Sequence, residues 1–208
     1  MNRITKALVA SFSVVAIVIV GVFGLSMSGA SAAVIDGNNG DNVLTGGSDG
    51  DTITGYGGDD YITGRDGDDY IVAGSNDFNQ SGVTDNDVAY GDRGNDCVLG
   101  GLGRDYLAGG DGDDDVQGER GKDQVTGGLD NDTVSGGANA DRVSGNAGDD
   151  YLYPNGGADS VFGGAGNDTV YASSDGNVDH YTGGDGNDTL VLSSGSQNDT
   201  WTGFENVV

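Results

Sequence analysis

The sequence predicts an all-β protein, a parallel β-roll in which a two-sheet right-handed β-solenoid is built from nine-residue repeats. Three observations lead to this fold class. Gly37 to Tyr171 divides into fifteen consecutive nine-residue units without insertion or deletion. The sixth place of the unit is Asp in thirteen of the fifteen units, and the eighth place is apolar in fourteen. A fixed short period of this kind is typical of solenoid architectures, in which each unit packs only against its neighbours.

Each place of the unit has a structural interpretation. The first place is Gly in thirteen units, and the fourth place contains only Gly, Asp or Asn, the residues that best tolerate a positive φ angle. The first six residues therefore predict a turn with a left-handed fourth position, and the last three predict a short strand with one side chain pointing inward. Two units return the chain to its starting side, so coils of eighteen residues should stack about 4.8 Å apart.

The first 32 residues differ from the rest of the chain. Asn2, Arg3 and Lys6 form a short basic start, Leu8 to Leu25 is almost wholly apolar, and Ala30-Ser31-Ala32 resembles a signal peptidase site. Residues 1–32 are predicted to be an N-terminal signal helix that is cleaved after Ala32, leaving residues 33–208 as the repeat domain. The alternative is an uncleaved membrane anchor, because eighteen apolar residues nearly suffice to span a bilayer. Both readings place the repeats outside the cytoplasm.

The repeat is irregular in two places. Ala73 to Tyr90 counts as two units, but Phe78 and Gln80 stand at the diagnostic sixth and eighth places. We expect a coil that keeps the count and lacks an acid site. After Tyr171 two units lengthen to eleven residues, and a C-terminal cap is expected from about residue 192, where Trp201 and Phe204 would cover the open end of the stack.

The composition restricts the partners. The chain has 34 acidic and 8 basic residues, a formal charge of −26, and without the leader six bases remain for a charge of −28. Such a charge repels nucleic acid and anionic lipid and attracts cations, so neither nucleic acid nor, after cleavage, a membrane is an expected partner. Cys97 is the single cysteine, which excludes an internal disulfide.

The column of aspartates predicts that the protein binds a metal ion. One inward aliphatic residue per unit stabilises by about 2 kcal/mol, whereas ordering nine residues costs on the order of 1 kcal/mol each. Stacked carboxylates also repel one another. Calcium resolves both problems, since it binds six to eight carboxylate and carbonyl oxygens. Each sixth-place Asp should lie above the one eighteen residues later, which gives ten Asp–Asp pairs and about ten calcium ions whose binding drives folding.

Gly163 to Tyr171 reads GGAGNDTVY and fits the pattern G-G-x-G-x-D-x-U-x at every place, where U is a bulky aliphatic residue. In this respect the chain resembles the RTX (repeats-in-toxin) calcium-binding nonapeptide-repeat proteins, here as a stand-alone repeat domain over about residues 37–191. The resemblance implies a β-roll with calcium in the turns and the sixth-place aspartates as ligands. These are Asp51, Asp60, Asp69, Asp87, Asp96, Asp105, Asp114, Asp123, Asp132, Asp141, Asp150, Asp159, Asp168, Asp179 and Asp188.

The chain departs from many members of that family in having an N-terminal leader and no protease, lipase or pore-forming domain before the repeats. His180 is its only histidine, which excludes a zinc-protease motif, and Gly46 to Gly50 matches a hydrolase elbow without the strand-to-helix context. We therefore expect no enzyme activity, but a secreted protein that binds calcium and folds on binding it.

An alternative function is a calcium-stiffened adhesion module with an unidentified protein or glycan ligand. Aromatic residues at outward strand places suggest this alternative: Tyr61, Tyr70, Tyr106, Tyr151, Tyr153, Phe162 and Tyr171. Tyrosine is also a common strand residue, so the stripe alone does not decide between the two readings. Ice binding is disfavoured because these outward places do not form a regular threonine array.

Overall fold

The computed structural model describes residues 15–18, 25–26, 32–75, 85–194 and 198–208, and these residues form two parallel sheets joined by turns. Successive strands alternate between the sheets, so the chain winds as a flattened solenoid. No helix occurs in this described part of the chain. The predicted all-β architecture of two parallel sheets is confirmed.

The first sheet contains the eleven odd-numbered strands, each hydrogen-bonded to the next odd-numbered one. They are β1 (Val15–Val18), β3 (Ala33–Asn38), β5 (Thr52–Tyr56), β7 (Tyr70–Val72), β9 (Cys97–Gly103), β11 (Asp115–Gly121), β13 (Thr133–Ala138), β15 (Tyr151–Gly156), β17 (Thr169–Tyr171), β19 (Thr189–Val191) and β21 (Asn206–Val207).

The second sheet contains the ten even-numbered strands in the same kind of order. They are β2 (Leu25–Ser26), β4 (Val43–Thr45), β6 (Tyr61–Asp66), β8 (Val88–Arg93), β10 (Tyr106–Asp111), β12 (Gln124–Leu129), β14 (Arg142–Ala147), β16 (Ser160–Ala165), β18 (His180–Asp185) and β20 (Thr200–Thr202).

The core is a single layer of side chains between the sheets. Each strand from β4 to β17 contributes the eighth-place residue of its unit, because side chains alternate between the two faces of a strand. Fully buried examples are Ile53, Leu107 and Val125, each with no exposed surface. Tyr181 stands in the same layer and is 1 % exposed, a polar side chain where other coils have an aliphatic one.

Most strands are longer than the sequence indicates. β10 runs through the last three places of one unit and the first three of the next, so only about three residues turn between strands. The predicted left-handed fourth place is confirmed in most units, for example at Gly112 with φ 130° and Asp130 with φ 71°, but it is wrong for Gly40, Asp49 and Asp85. The second place is also left-handed in many units, including Glu119 with φ 70°, which the mixed composition of that column conceals. The chain bends at both places.

The expected register fails at one point. Elsewhere in the regular stack neighbouring strands pair eighteen residues apart, as in Gln124 with Arg142. Tyr61 instead pairs with Val88, and Tyr70 with Cys97, which is a separation of 27 residues in both sheets. One nine-residue length of chain therefore adds no strand to the stack, and the prediction that Ala73 to Tyr90 keeps the count is wrong. Residues 76–84 lie outside the described residues.

The two ends of the stack differ from the sequence expectations. Most of the predicted signal helix lies outside the described residues, and its described pieces, β1 and β2, are strands that pair with β3 and β4. Among the described residues no helix is long and apolar enough to cross a membrane. At the other end Phe204 packs against the core, whereas Trp201 is 40 % exposed.

Glycine is favoured at the first place of the unit because the sixth-place carboxylate of the same unit occupies the space of a side chain, although Pro154 stands there in one coil. An ideal Cβ on Gly127 would overlap Oδ2 of Asp132 and lie 2.6 Å from its Cβ. On Gly156, which stands at the third place, the nearest atom would be 3.8 Å away.

We predict that Gly127→Ala lowers the free energy of unfolding by about 1–3 kcal/mol, the usual cost of overpacking. Gly156→Ala is the matched control and should be neutral or stabilise by about 0.4–1 kcal/mol, because it only restricts the unfolded chain. Urea unfolding in calcium-containing buffer measures both variants. Equal effects of the two substitutions would contradict the steric account.

Candidate metal centre

The sixth-place aspartates form two columns, one along each edge of the solenoid. We call the turns that lead from the first sheet to the second the first rim, and those that lead back the second rim. In both rims the Asp ends the turn, immediately before a strand begins. All fifteen aspartates predicted as ligands lie in these columns, and all are buried. The first rim contains Asp60, Asp87, Asp105, Asp123, Asp141, Asp159 and Asp179, and the second contains Asp51, Asp69, Asp96, Asp114, Asp132, Asp150, Asp168 and Asp188.

One carboxylate oxygen of each aspartate is held by the coil before it. The backbone N–H of Asp114 donates to Oδ1 of Asp132, and the N–H of Asp132 donates to Oδ1 of Asp150, both at 2.9 Å. Fourteen Asp–Asp pairs of this kind occur among the described residues, at 2.6–3.0 Å. The peptide of one coil therefore orients the carboxylate of the next.

The change of register alters which aspartates pair. A uniform eighteen-residue register would pair Asp69 with Asp87. In the structure Asp60 donates to Asp87 and Asp69 to Asp96. Because the register changes here, both columns continue from one acid to the next across this point.

The second carboxylate oxygen has no partner in most coils. Oδ2 is buried and without a hydrogen bond in thirteen sixth-place aspartates, which are Asp60, Asp69, Asp87, Asp96, Asp105, Asp114, Asp123, Asp132, Asp141, Asp150, Asp159, Asp168 and Asp188. A buried acceptor left unsatisfied costs about 1–3 kcal/mol, and more when it is charged. Thirteen such atoms in one small protein indicate that a group outside the polypeptide completes them.

The surroundings disfavour the ionised form of these acids. Burial is the largest cause, the neighbouring carboxylates add to it in most coils, and the backbone hydrogen bond opposes it only in part. The pKa rises to about 6 in Asp96, Asp123, Asp150 and Asp168, to about 7 in Asp60, Asp69, Asp87, Asp114 and Asp159, and to about 8 in Asp105, Asp132 and Asp141.

The donor set fits a hard cation. Among the described residues no three His, Cys, Asp or Glu side chains come together in a way that could hold a metal. An ion in the columns would therefore take carboxylate oxygens from the aspartates and its remaining ligands from backbone carbonyls. Calcium accepts such all-oxygen sets, whereas zinc prefers thiolate and imidazole ligands. The turn glycines leave their carbonyls uncovered by side chains, which suits this use.

Asp179, like Asp51, differs from the thirteen other sixth-place aspartates because the protein itself completes its carboxylate. The Tyr181 hydroxyl and the Ser173 hydroxyl both donate to Oδ2 at 2.7 Å. Oδ1 accepts the N–H of Asp159 at 2.8 Å. Burial and the hydrogen bond to Asp179 raise the pKa of Tyr181, so its hydroxyl remains a donor. In this coil two hydroxyl groups satisfy Oδ2, which in most other coils has no hydrogen-bond partner among the described residues.

Both ends of the second-rim column also have protein partners. At the start, the N–H of Ala33 donates to Oδ1 of Asp51 at 2.7 Å, and the N–H of Gly47 donates to Oδ2 at 2.5 Å. At the end, the N–H of Asp188 donates to Oε2 of Glu205 at 2.8 Å.

Two acids of these columns are absent from the residues predicted from the sequence. Asp199 extends the first rim by accepting the N–H of Asp179, and Glu205 closes the second rim. The Asn198-Asp199-Thr200 triplet, which recurs at Asn167 and Asn187, is a signal that would identify Asp199. Glu205 has no such signal, since it stands outside any nine-residue unit.

Comparison with protein-family models agrees with this geometry. The model of the RTX calcium-binding nonapeptide repeat matches residues 36–71 and, in overlapping copies, residues 81–200. The gap between these ranges, residues 72–80, overlaps the stretch in which the register changes. No curated protein matches the chain significantly. Because the family model covers well over half of the sequence, the chain belongs to the RTX calcium-binding nonapeptide-repeat family.

Proposed function

We propose that this chain is an exported, non-enzymatic protein whose two aspartate columns bind calcium, and that calcium binding folds the repeat domain. The main support for this proposal is the set of thirteen buried Oδ2 atoms without a hydrogen-bond partner in the described part of the chain. In the folded chain the other oxygen of each carboxylate accepts a backbone N–H, so the stacking of the coils itself orients the unpartnered oxygen. Calcium would supply the positive charge that the columns lack.

The ligand set that we propose leaves out some aspartates of the two columns, but it contains more Asp–Asp pairs than the ten predicted from the sequence. Asp179 is set aside because its Oδ2 is hydrogen-bonded to Tyr181 and Ser173. Within the described part of the fifteen regular units the structure forms eleven Asp–Asp pairs, against ten in a uniform eighteen-residue register, and three further pairs contain Asp179, Asp188 or Asp199. Setting aside the two pairs that contain Asp179, and the pair of Asp51, whose Oδ2 accepts the N–H of Gly47, leaves eleven candidate sites. The number of ions is therefore expected to be about ten to twelve.

Folding and binding should be one event. The core is only one side chain thick, and every coil buries a carboxylate beside the next one. Without a cation this stack combines little apolar burial with repulsion between buried charges. A ligand that binds only the folded chain stabilises it in proportion to its affinity, so calcium should convert a disordered chain into the β-roll.

The direct test is calcium removal. In chelator we expect the circular dichroism of a disordered chain, and in about 5–10 mM calcium that of a β protein, with native mass spectrometry counting the ions. Asp132→Asn should remove at least one ion and raise the calcium midpoint. Asp185→Asn, an exposed acid in the same family of turns, changes the charge equally and should leave both unchanged.

Equal β content in chelator and in calcium would refute the proposed coupling. A similar shift in Asp132→Asn and Asp185→Asn would show that calcium acts only through net charge.

Protons should replace calcium in part, because either one removes the buried negative charge. The folded-state pKa values of about 6–8 lie above the unfolded value of 3.8. Each such acid therefore contributes stability that is fully present below about 3.8 and is lost as the pH rises through its folded value. In chelator we predict that β content increases as the pH is lowered from about 8 to about 5. Circular dichroism of the chelated chain measures this, and an unchanged spectrum over that range would contradict it.

Export with cleavage after Ala32 is supported by the contact at the start of the second rim. Cleavage would turn the N–H of Ala33 into an α-ammonium group beside Oδ1 of Asp51, to which it already donates at 2.7 Å. A charge-assisted hydrogen bond would then close the end of the column. The leader would thus be removed at the residue where the column of acids begins.

We predict that the chain beginning at Ala33 is more stable than the chain that retains Ala32, by about 1 kcal/mol, since hydrogen bonds to charged groups are stronger. Urea unfolding of the two chains in calcium measures the difference. The gain should disappear in Asp51→Asn. Amino-terminal sequencing of the exported protein should give Ala33 as its first residue, and a different first residue would rule out this assignment.

A further inference from the structure

The two rims share a backbone but differ in charge. On the second rim the fifth-place residues are acids and amides, joined by hydrogen bonds from each N–H to the side chain of the coil before: Asp68, Asn95, Asp113, Asn131, Asp149, Asn167 and Asn187. On the first rim the corresponding places from Asn86 to Ala158 contain no acid. They are Asn86, Arg104, Lys122, Ala140 and Ala158.

Most bases of the repeat domain lie on this part of the first rim. Six basic residues follow the leader, and four of them, Arg104, Arg120, Lys122 and Arg142, belong to three consecutive coils. All four are exposed. On the second rim Arg93 is paired with Asp66 at 3.3 Å. Arg104, Lys122 and Arg142, in contrast, form no salt bridge with another described residue. We call these four residues the basic ridge.

The basic ridge borders two grooves. One has a volume of about 600 Å³ and is lined by Arg104, Lys122 and Arg142, with the ring of Tyr106 in its wall. The other, about 420 Å³, lies against the opposite side of Arg104 and Lys122 and includes Arg120. The Arg142 guanidinium lies 4.4 Å from the centre of the Phe162 ring, which keeps it extended along the surface. Three cations and the ring of Tyr106 thus line an open groove whose residues come from successive coils of the stack.

We propose that the basic ridge binds an acidic polysaccharide, a linear chain of sugars with sulfate or carboxylate groups. Arg104 and Lys122 occupy the same place of consecutive coils, so their charges follow the strand spacing of about 4.8 Å along a straight line. Regularly spaced cations suit a polymer with repeating anions, and the Tyr106 ring offers a flat face to a sugar. Single-stranded nucleic acid is a poorer match, because its binding relies on aromatic rings that stack successive bases, and the described residues of the larger groove offer a single ring, Tyr106.

Binding at the ridge rests on the proposed calcium function. Asp87, Asp105, Asp123 and Asp141 also line the larger groove, and while ionised they offset the four bases. Calcium in the first rim would cancel that negative charge and leave the ridge positive. The anion should therefore bind only to the calcium-loaded protein.

The test uses the full chain in calcium and fluorescein-labelled dextran sulfate, with hyaluronan as the carboxylate polymer and neutral dextran as the uncharged one. Fluorescence anisotropy should show binding of at least one acidic polymer and none of neutral dextran. Arg104→Ser/Lys122→Ser should weaken binding at least about tenfold. Arg65→Ser/Arg93→Ser on the second rim makes the same change in charge and should bind as the unmodified chain does. Circular dichroism in calcium checks that each variant folds.

The outcomes separate the two proposals. A chain that folds in calcium but binds neither acidic polymer overturns the ridge and leaves the calcium function standing. A chain that does not respond to calcium overturns the proposed function itself. Equal weakening in the two double variants would show that net charge alone governs binding, and single-stranded DNA binding as tightly as dextran sulfate would overturn the assignment to polysaccharide.

Discussion

The structure depends on one buried carboxylate in most nine-residue units, and the second oxygen of that carboxylate has no hydrogen-bond partner in the described part of the protein. Its first oxygen accepts a backbone N–H from the coil before, as Asp132 does from Asp114. The same Asp114 offers its carbonyl to the N–H of Thr133, at 2.8 Å. A single residue therefore connects two coils through its peptide group and the side chain of its neighbour. The stacking of the solenoid and the alignment of the acids are thus one arrangement.

That arrangement explains why we propose that this fold needs a bound metal to be stable. An aliphatic side chain such as Val134 is wholly buried, yet it is the only core contribution of its strand. The next coil adds another carboxylate at the same edge, where burial raises the pKa of Asp141 to about 8. Apolar burial and charge repulsion both increase as the stack lengthens. Adding coils therefore does not by itself stabilise the folded chain relative to the unfolded chain. A cation shared between successive carboxylates would replace their mutual repulsion by attraction to the ion.

The period of the sequence was sufficient to predict the two parallel sheets, the buried eighth place and the aspartate columns, since each follows from which residues recur at a fixed place. It was insufficient at Ala73 to Tyr90, because a skipped unit of nine residues leaves the count of the flanking units intact. Only the pairing of Tyr61 with Val88 reveals it. The left-handed second place was missed for a different reason: Glu119 and Tyr56 adopt positive φ despite their side chains, so the backbone of the stack overrides local preference there. Contacts that depend on a single side chain, such as Tyr181 with Asp179, have no periodic signal at all.

The repeat also explains where this chain can vary. The first, fourth, sixth and eighth places are constrained by the carboxylate, the turn, the column and the core. The third, fifth and seventh places face outward and can change without disturbing the stack. Arg104 and Lys122 occupy the fifth place on one rim, whereas Asp113 and Asp149 occupy it on the other. Asp113 and Asp149 accept an N–H of the next coil, whereas Arg104 and Lys122 have no acceptor and their coils stack without this contact, so the bases are not required for stacking. The same reasoning applies to Asp179, where an eighth-place Tyr and a lengthened turn with Ser173 supply the contacts that other coils lack. A coil of that kind has its carboxylate satisfied without an ion, so the calcium dependence that we propose would differ from one coil to another.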